Sequence, residues 1–275
     1  MTEPQHKSLP PYHLHYEKHG NGSHALIALH GFGQSSNTYR PFYDHLSHHY
    51  TIYSFDIFYH GKSTWGNDEQ LLEEVHLELI FSSFLRENDI TTFSIAGYSM
   101  GGKIALALAK IFTKQIEELI LIAPDGLYRT FWYKIATKFP PIRMLFKRII
   151  DKPSIFFSLT KTIRAFGLVN KKVLQFAERN MSTSEMRTLV YYTWVNFRLF
   201  YYSRTDLNIM VDKGQMRILV FLGEYDRIIS PKKLSPYFKG IASCELKIIE
   251  SGHNSLIEHT ANELKQIIQQ HHEQA

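Results

Sequence analysis

Cysteine is nearly absent. Cys244 is the single one in 275 residues, so no disulfide framework can hold the chain together. That suits a reducing compartment, and a cytoplasmic location is the expectation. Met1 to Tyr16 contain no apolar stretch behind a basic start, so no signal peptide is expected. No run approaches the roughly 18 apolar residues that crossing a bilayer requires. Internal repeats and low-complexity tracts are lacking. Acidic residues are scarce in one stretch. Residues 127–205 hold Asp151, Glu178 and Glu185 against fifteen lysines and arginines, a net of +12. The whole chain carries +5, so the remainder carries −7.

What is present is a regular alternation of elements. Apolar content of 44% is enough for a sizeable core. A strand pattern at Tyr12–Glu17 precedes apolar runs at Ala25–Leu29, Thr51–Phe55, Phe93–Ala96, Leu119–Ala123, Arg217–Leu222 and Leu246–Glu250. Helices are predicted from Ser36 or Asn37 to His48, over 69–86, after Gly101, at Pro231 and over Ser255–Gln270. The 69–86 helix is expected to bury Leu71, Leu72, Val75, Leu79 and Ile80. From Leu127 to Thr205 no buried strand is evident. Strands alternating with helices predict a mostly parallel sheet with helices on both faces. Ligands then bind at the C-terminal ends of the strands.

The pivot of the pattern is Gly97-Tyr98-Ser99-Met100-Gly101-Gly102. A buried strand precedes it and a helix-forming run, Lys103 to Ala109, follows. The Gly-x-Ser-x-Gly motif is weak alone and gains meaning from this strand–turn–helix context, which lifts the Ser99 hydroxyl above the sheet. Serine needs a base within hydrogen-bond reach, and histidine has a suitable pKa. His253, behind Gly252 in a loop after the last strand, is the candidate base. Asp226, in the loop after Arg217–Leu222, is the candidate acid to orient it, with Glu224 as competitor and Asp206 a weaker one. A developing oxyanion needs backbone donors. Met100 offers one at the helix start, and Phe32, in His30-Gly31-Phe32-Gly33, a second.

These features resemble the α/β-hydrolase superfamily. The resemblance rests on His30-Gly31, on Asp56 through Gly61 and Ser63, on the elbow at 97–102, on Gly223 to Asp226, and on Gly252-His253. It implies an α/β fold, a mostly parallel sheet flanked by helices with an inserted helical cap. Residues 1–126 and 206–275 would form the core domain, and 127–205 the cap. It implies Ser99 as nucleophile, His253 as base, Asp226 as acid, and Phe32 and Met100 as oxyanion donors. The segment matching 56–63 is usually structural in the family. Tyr98, His30 and Lys103 are expected to meet substrate, Lys103 by anchoring a carboxylate. The superfamily's menaquinone-pathway elimination enzyme has an arginine where Lys103 stands.

The expected activity is hydrolysis of a carboxylic ester, thioester or related activated carbonyl through an acyl-enzyme, with no metal and no cofactor. C–C bond hydrolysis or an elimination could use the same triad. A non-catalytic receptor or scaffold of this fold is the alternative of another class. The basic, aromatic-rich insertion suggests an anionic or amphiphilic acyl substrate, or peripheral contact with an anionic membrane. An aromatic core beneath a solvated basic face would explain the same composition. No nucleic-acid motif accompanies the charge, so no nucleic-acid partner is expected.

Overall fold

The computed structural model describes residues 9–66, 70–129, 131–167, 174–175, 178–179, 181–214 and 216–274, with the side chains of 131, 132, 159 and 271–274 excepted. The chain divides into two compact units. One comprises Met1–Asn67, Leu72–Tyr128 and Phe200–Ala275; the other comprises Asp68–Leu71 and Arg129–Leu199.

The first unit is built on a seven-stranded sheet. Its strands are β2 (Tyr16–His19), β3 (His24–Leu29), β4 (Tyr50–Phe55), β6 (Phe93–Tyr98), β7 (Ile116–Ile122), β8 (Arg217–Gly223) and β9 (Cys244–Ile249), in the order β2-β4-β3-β6-β7-β8-β9. All neighbours are parallel except β2, which runs antiparallel to β4. β1 (Tyr12–His13) and β5 (Thr64–Trp65) form a separate two-stranded ribbon. The strand pattern expected over Tyr12–Glu17 is therefore split between two sheets.

The central strands are apolar throughout because both faces are covered. Leu26, Ile27, Ala28, Ile95, Ala96, Leu119, Ile120, Leu121, Ile218 and Val220 are fully buried. Helix α3 (Gly101–Ile111) is buried almost end to end. Ala105 is small enough to let the helix lie close on the sheet, where a Cβ on Gly97 would come within 2.6 Å of it. Helix α1 (Arg40–Leu46) follows a 3₁₀ turn at Ser36–Tyr39, so the helix expected from 36 to 48 is shorter and begins irregularly.

Helix α2 (Glu74–Glu87) begins later than the expected 69–86, whose first residue lies outside the described ones. Its buried face also differs. Leu77, Ile80, Phe81, Phe84 and Leu85 point inward, while Val75 and Leu79 are exposed. The two phenylalanines of the helix decide the rotation. Phe81 and Phe84 pack around Phe55 at 5.2 and 4.9 Å between ring centroids. Two large rings bury more area than Val75 and Leu79 would, so the helix turns toward them.

The second unit is helical in its described parts: α4 (Phe131–Lys138), α5 (Pro140–Asp151), α6 (Pro153–Ala165) and α7 (Ser184–Asn196). Prolines at the starts of α5 and α6 separate the three successive helices, since proline suits a helix start and not its interior. Thr183 caps α7 by accepting from the Met186 N–H. Aromatics fill the interior: Trp194 lies 5.1 Å from Tyr133 and 5.8 Å from Phe146, centroid to centroid. The Arg187 guanidinium donates to the carbonyls of Ile150, Met181 and Ser182, tying α7 to the end of α5. The side chain of Trp132 lies outside the described residues. No described helix is long and apolar enough to cross a membrane.

Candidate active site

The parallel strands end at one edge of the sheet, and every loop singled out by the sequence emerges there. The turn after β6 is sharp. Ser99 has φ of +50°, a left-handed conformation that a non-glycine residue adopts only under constraint. Three backbone bonds supply that constraint. The Ser99 N–H donates to Ile122 at 2.9 Å, and its carbonyl accepts from Gly102 at 2.9 Å and Asp125 at 2.8 Å. Close packing requires glycine beside it. A Cβ on Gly97 would sit 2.6 Å from that of Ala105, and one on Gly101 would collide with the Leu29 carbonyl. The elbow is thus wedged between the ends of β3, β6 and β7.

His253 Nε2 lies 3.1 Å from Ser99 Oγ, and His253 Nδ1 lies 2.6 Å from Asp226 Oδ2. The carboxylate accepts the Nδ1 proton, which leaves Nε2 as acceptor for the Ser99 hydroxyl. Asp226 is held from behind. Its other oxygen accepts from the N–H groups of Ile228 at 2.8 Å and Ile229 at 2.9 Å. The side chain of Asp226 is fully buried and that of His253 only 11% exposed, so water competes little for the short bond between them. Of the competing acids, Glu224 is exposed, and Asp206 is engaged with the Ser203 N–H and hydroxyl.

The N–H groups of Phe32 and Met100 have no hydrogen-bond acceptor among the described residues. Met100 is the residue before α3, where helix N–H groups lack intrahelical partners. The Phe32 loop is drawn in from below: the Gly31 N–H donates to Gln34 Oε1 at 3.0 Å.

Three residues expected to touch substrate do something else. His30 is fully buried. Its Nδ1–H donates to the Gly31 carbonyl at 2.7 Å, and its Nε2 accepts from the Ile57 N–H at 3.0 Å. Both ring nitrogens are spent on joining two loops. Burial pushes its pKa down from 6.5 to about 4, against the opposing influence of the Gly31 carbonyl and Asp56. Tyr98 is 1% exposed and donates its hydroxyl to the His253 carbonyl at 2.9 Å. It supports the histidine loop. Burial, and then the Asp226 charge, raise its pKa.

Lys103 is buried as well, with Nζ 3.0 Å from Asp125 Oδ2 and 4.6 Å from the Tyr201 ring. The anchor reading required a cation facing a ligand carboxylate; here the carboxylate is the protein's own. Asp125 is also the residue whose N–H holds the Ser99 carbonyl, so it links that ion pair to the elbow. Asp125 went unremarked in the sequence because Pro124-Asp125-Gly126 reads as a turn. Its place just after an apolar strand was the available signal, the same one that marked Asp226.

The 56–63 segment is a brace. Asp56 accepts from the N–H groups of Ser36 at 2.7 Å and Lys62 at 2.9 Å. Burial disfavours its charge, yet those donors and the nearby His30 and His15 outweigh burial and hold the carboxyl below its ordinary value. Gly61 has φ of +53°, and a Cβ there would run into the Asp56 carboxylate. His60 stacks edge-on against Phe32 at 5.7 Å and His30 at 5.1 Å. Burial, then His30, lowers its pKa to about 3. Among the described residues no group of three or more His, Cys, Asp or Glu side chains is arranged to hold a metal ion.

The description of the alpha/beta hydrolase fold family matches residues 24–260, most of the chain. The chain belongs to the α/β-hydrolase fold family. Among similar curated proteins, this α/β-hydrolase is 27% identical over 180 residues to "Probable lysophospholipase BODYGUARD 2" of Arabidopsis thaliana, covering 59% of this chain and 37% of the relative. The α/β-hydrolase thus spans little more than a third of that relative's length. Among solved structures, an esterase from Thermogutta terrifontis superposes with a TM-score of 0.68 at 15% identity, over 95% of this chain and 93% of the other. An enol-lactonase from Burkholderia xenovorans gives 0.65 at 16% identity, over 94% and 98%. At such identities these two likenesses concern the fold.

Proposed function

We propose that this α/β-hydrolase is a serine hydrolase that cleaves carboxylic esters or thioesters through an acyl-enzyme. The observation that carries the reading is the unbroken row from Ser99 Oγ through the His253 ring to Asp226. The hydroxyl of Ser99 attacks the substrate carbonyl carbon while its proton passes to His253 Nε2. The carbonyl oxygen, now negative, is met by the N–H groups of Phe32 and Met100. Collapse of the tetrahedral species breaks the bond to the leaving alcohol or thiol, which takes the proton from Nε2. A water then gives a proton to Nε2 and adds to the acyl carbon. Ser99 leaves with that proton, the acid product departs, and the enzyme returns to its starting state. Asp226 keeps its charge throughout and stabilises the imidazolium.

The name of the similar curated protein, a probable lysophospholipase, supports ester chemistry over a receptor or scaffold role. The intact hydrogen-bonded row supports it too, since a scaffold has no use for one. The excess of lysine and arginine in residues 127–205 favours acyl substrates that carry a negative charge. The test is labelling with a fluorophosphonate probe beside turnover of esters of graded chain length. Wild type is expected to label and Ser99→Ala to lose both labelling and turnover while keeping its circular dichroism spectrum. Labelling of Ser99→Ala at the wild-type rate refutes the reading.

A further inference from the structure

The outer face of α5 is built the wrong way round for a helix bathed in water. Pro141, Met144, Leu145 and Arg148 share one side by helical spacing and all are exposed. Met144 is 72% exposed and Leu145 51%, and Phe139, just before the helix, is 48% exposed. The opposite side holds Phe146 and Ile150 against the interior aromatics. The helix is therefore apolar on both sides, with the outer apolar residues clustered at its N-terminal half. Single exposed apolar residues are ordinary; a cluster on one helix face marks an interaction surface.

The charge around the cluster names the partner. Lys138 precedes it, Arg148 lies on the same face, Lys152 stands between α5 and α6, and Lys161 follows on α6; all four are exposed. None of the four has an acidic partner among the described residues. Asp151 is the single acid between residues 129 and 166. A second copy of this chain would bring like charge against like charge, so self-association is disfavoured. A nucleic acid would match the cations but leave Met144 and Leu145 with nothing to bury against. An anionic bilayer satisfies both halves: side chains of this kind enter the headgroup–acyl boundary while lysine and arginine reach lipid phosphates.

We propose that the outer face of α5, with the flanking basic residues, docks on an anionic lipid surface. The helix lies in the plane of the interface and does not insert across it. The proposal stands apart from the Ser99 assignment, because docking needs no hydrolysis.

The experiment is co-sedimentation of the full chain, as Ser99→Ala to remove any turnover, with vesicles of phosphatidylcholine alone and of phosphatidylcholine mixed with phosphatidylglycerol. Binding is expected on the mixed vesicles and to fall as salt rises. Arg148→Gln with Lys152→Gln is expected to weaken it by about fivefold per charge removed. Met144→Gln with Leu145→Gln is expected to abolish most of the remainder. All four positions are exposed, so both variants are expected to keep the wild-type melting temperature. Equal binding to neutral vesicles, or unchanged binding by both variants, overturns the proposal. So does a protein that ignores mixed vesicles and instead binds a single-stranded RNA oligonucleotide. Fluorophosphonate labelling of the two surface variants, made with Ser99 present and measured without vesicles, reads the catalytic assignment separately.

Discussion

Single residues in the site divide into those that face the reacting atoms and those that hold them there. The Asp226 side chain is fully buried, and in the proposed mechanism it acts through the His253 ring. Asp226→Asn is expected to reduce turnover by about 10⁴-fold, as in the analogous serine protease change, because the amide favours the wrong histidine tautomer. A mild effect there, with a large one for Glu224→Gln, would show that the other carboxylate orients the histidine. Lys103 makes a different prediction from the one its position in the sequence invites. Its partner Asp125 is a third exposed and bonds the elbow through its N–H. Removing the cation with Lys103→Met strands a half-buried carboxylate, at an expected cost of about 1–3 kcal/mol in denaturant unfolding, discounted for the solvent reaching Asp125. If Lys103 instead anchored substrate, the variant would keep its stability and lose only carboxylate-bearing substrates through a raised KM.

At the scale of elements, the loops after β3 and β4 are joined by buried histidines. His30 carries a proton far less readily folded than unfolded, its value falling from 6.5 to about 4. Between those two values the unfolded chain binds more protons than the folded one. Stability is therefore fully present above about pH 6.5 and declines as pH falls toward 4. A displacement of this size corresponds to roughly 3 kcal/mol at the acid end. His60 adds to the same limb, its value lowered to about 3 by burial and by His30. Urea midpoints at pH 7 and pH 5 check this. Wild type is expected to lose more between the two than His30→Gln, although the variant starts lower because the Ile57 N–H has lost its acceptor. Parallel losses would place the acid sensitivity elsewhere.

Helix α2 makes the companion case. Leu79 repeats at helical spacing with the apolar positions around it, yet it is 46% exposed, while Leu77 is 1% exposed. Leu77→Ala is expected to cost about 2–5 kcal/mol and Leu79→Ala under about 1 kcal/mol.

Across the whole molecule, charge is segregated by sequence: +12 in residues 127–205 and −7 in the rest. Exposed charges act over a screening length of about 10 Å at 0.1 M salt. Turnover of an anionic ester at low concentration is expected to fall as salt is added, while a neutral ester of equal chain length changes little. Equal responses would leave the basic stretch without influence on substrate choice.

The chain's own order of residues determined the alternation of strands and helices, the sharp turn at Ser99, and which acid and histidine follow strands at the same sheet edge. Those are local patterns, legible because a buried parallel strand must be apolar on both faces and a strand-to-helix reversal needs glycine where backbones meet. The tertiary structure decided what the polar residues around that turn do. His30 reaches an N–H 27 residues away, and Tyr98 a carbonyl 155 residues away. Lys103 finds a carboxylate beyond the end of the next strand, and α2 rotates to bring Phe81 and Phe84 onto Phe55. A buried donor or charge takes whichever partner folding brings within about 3 Å, and no local pattern announces that partner.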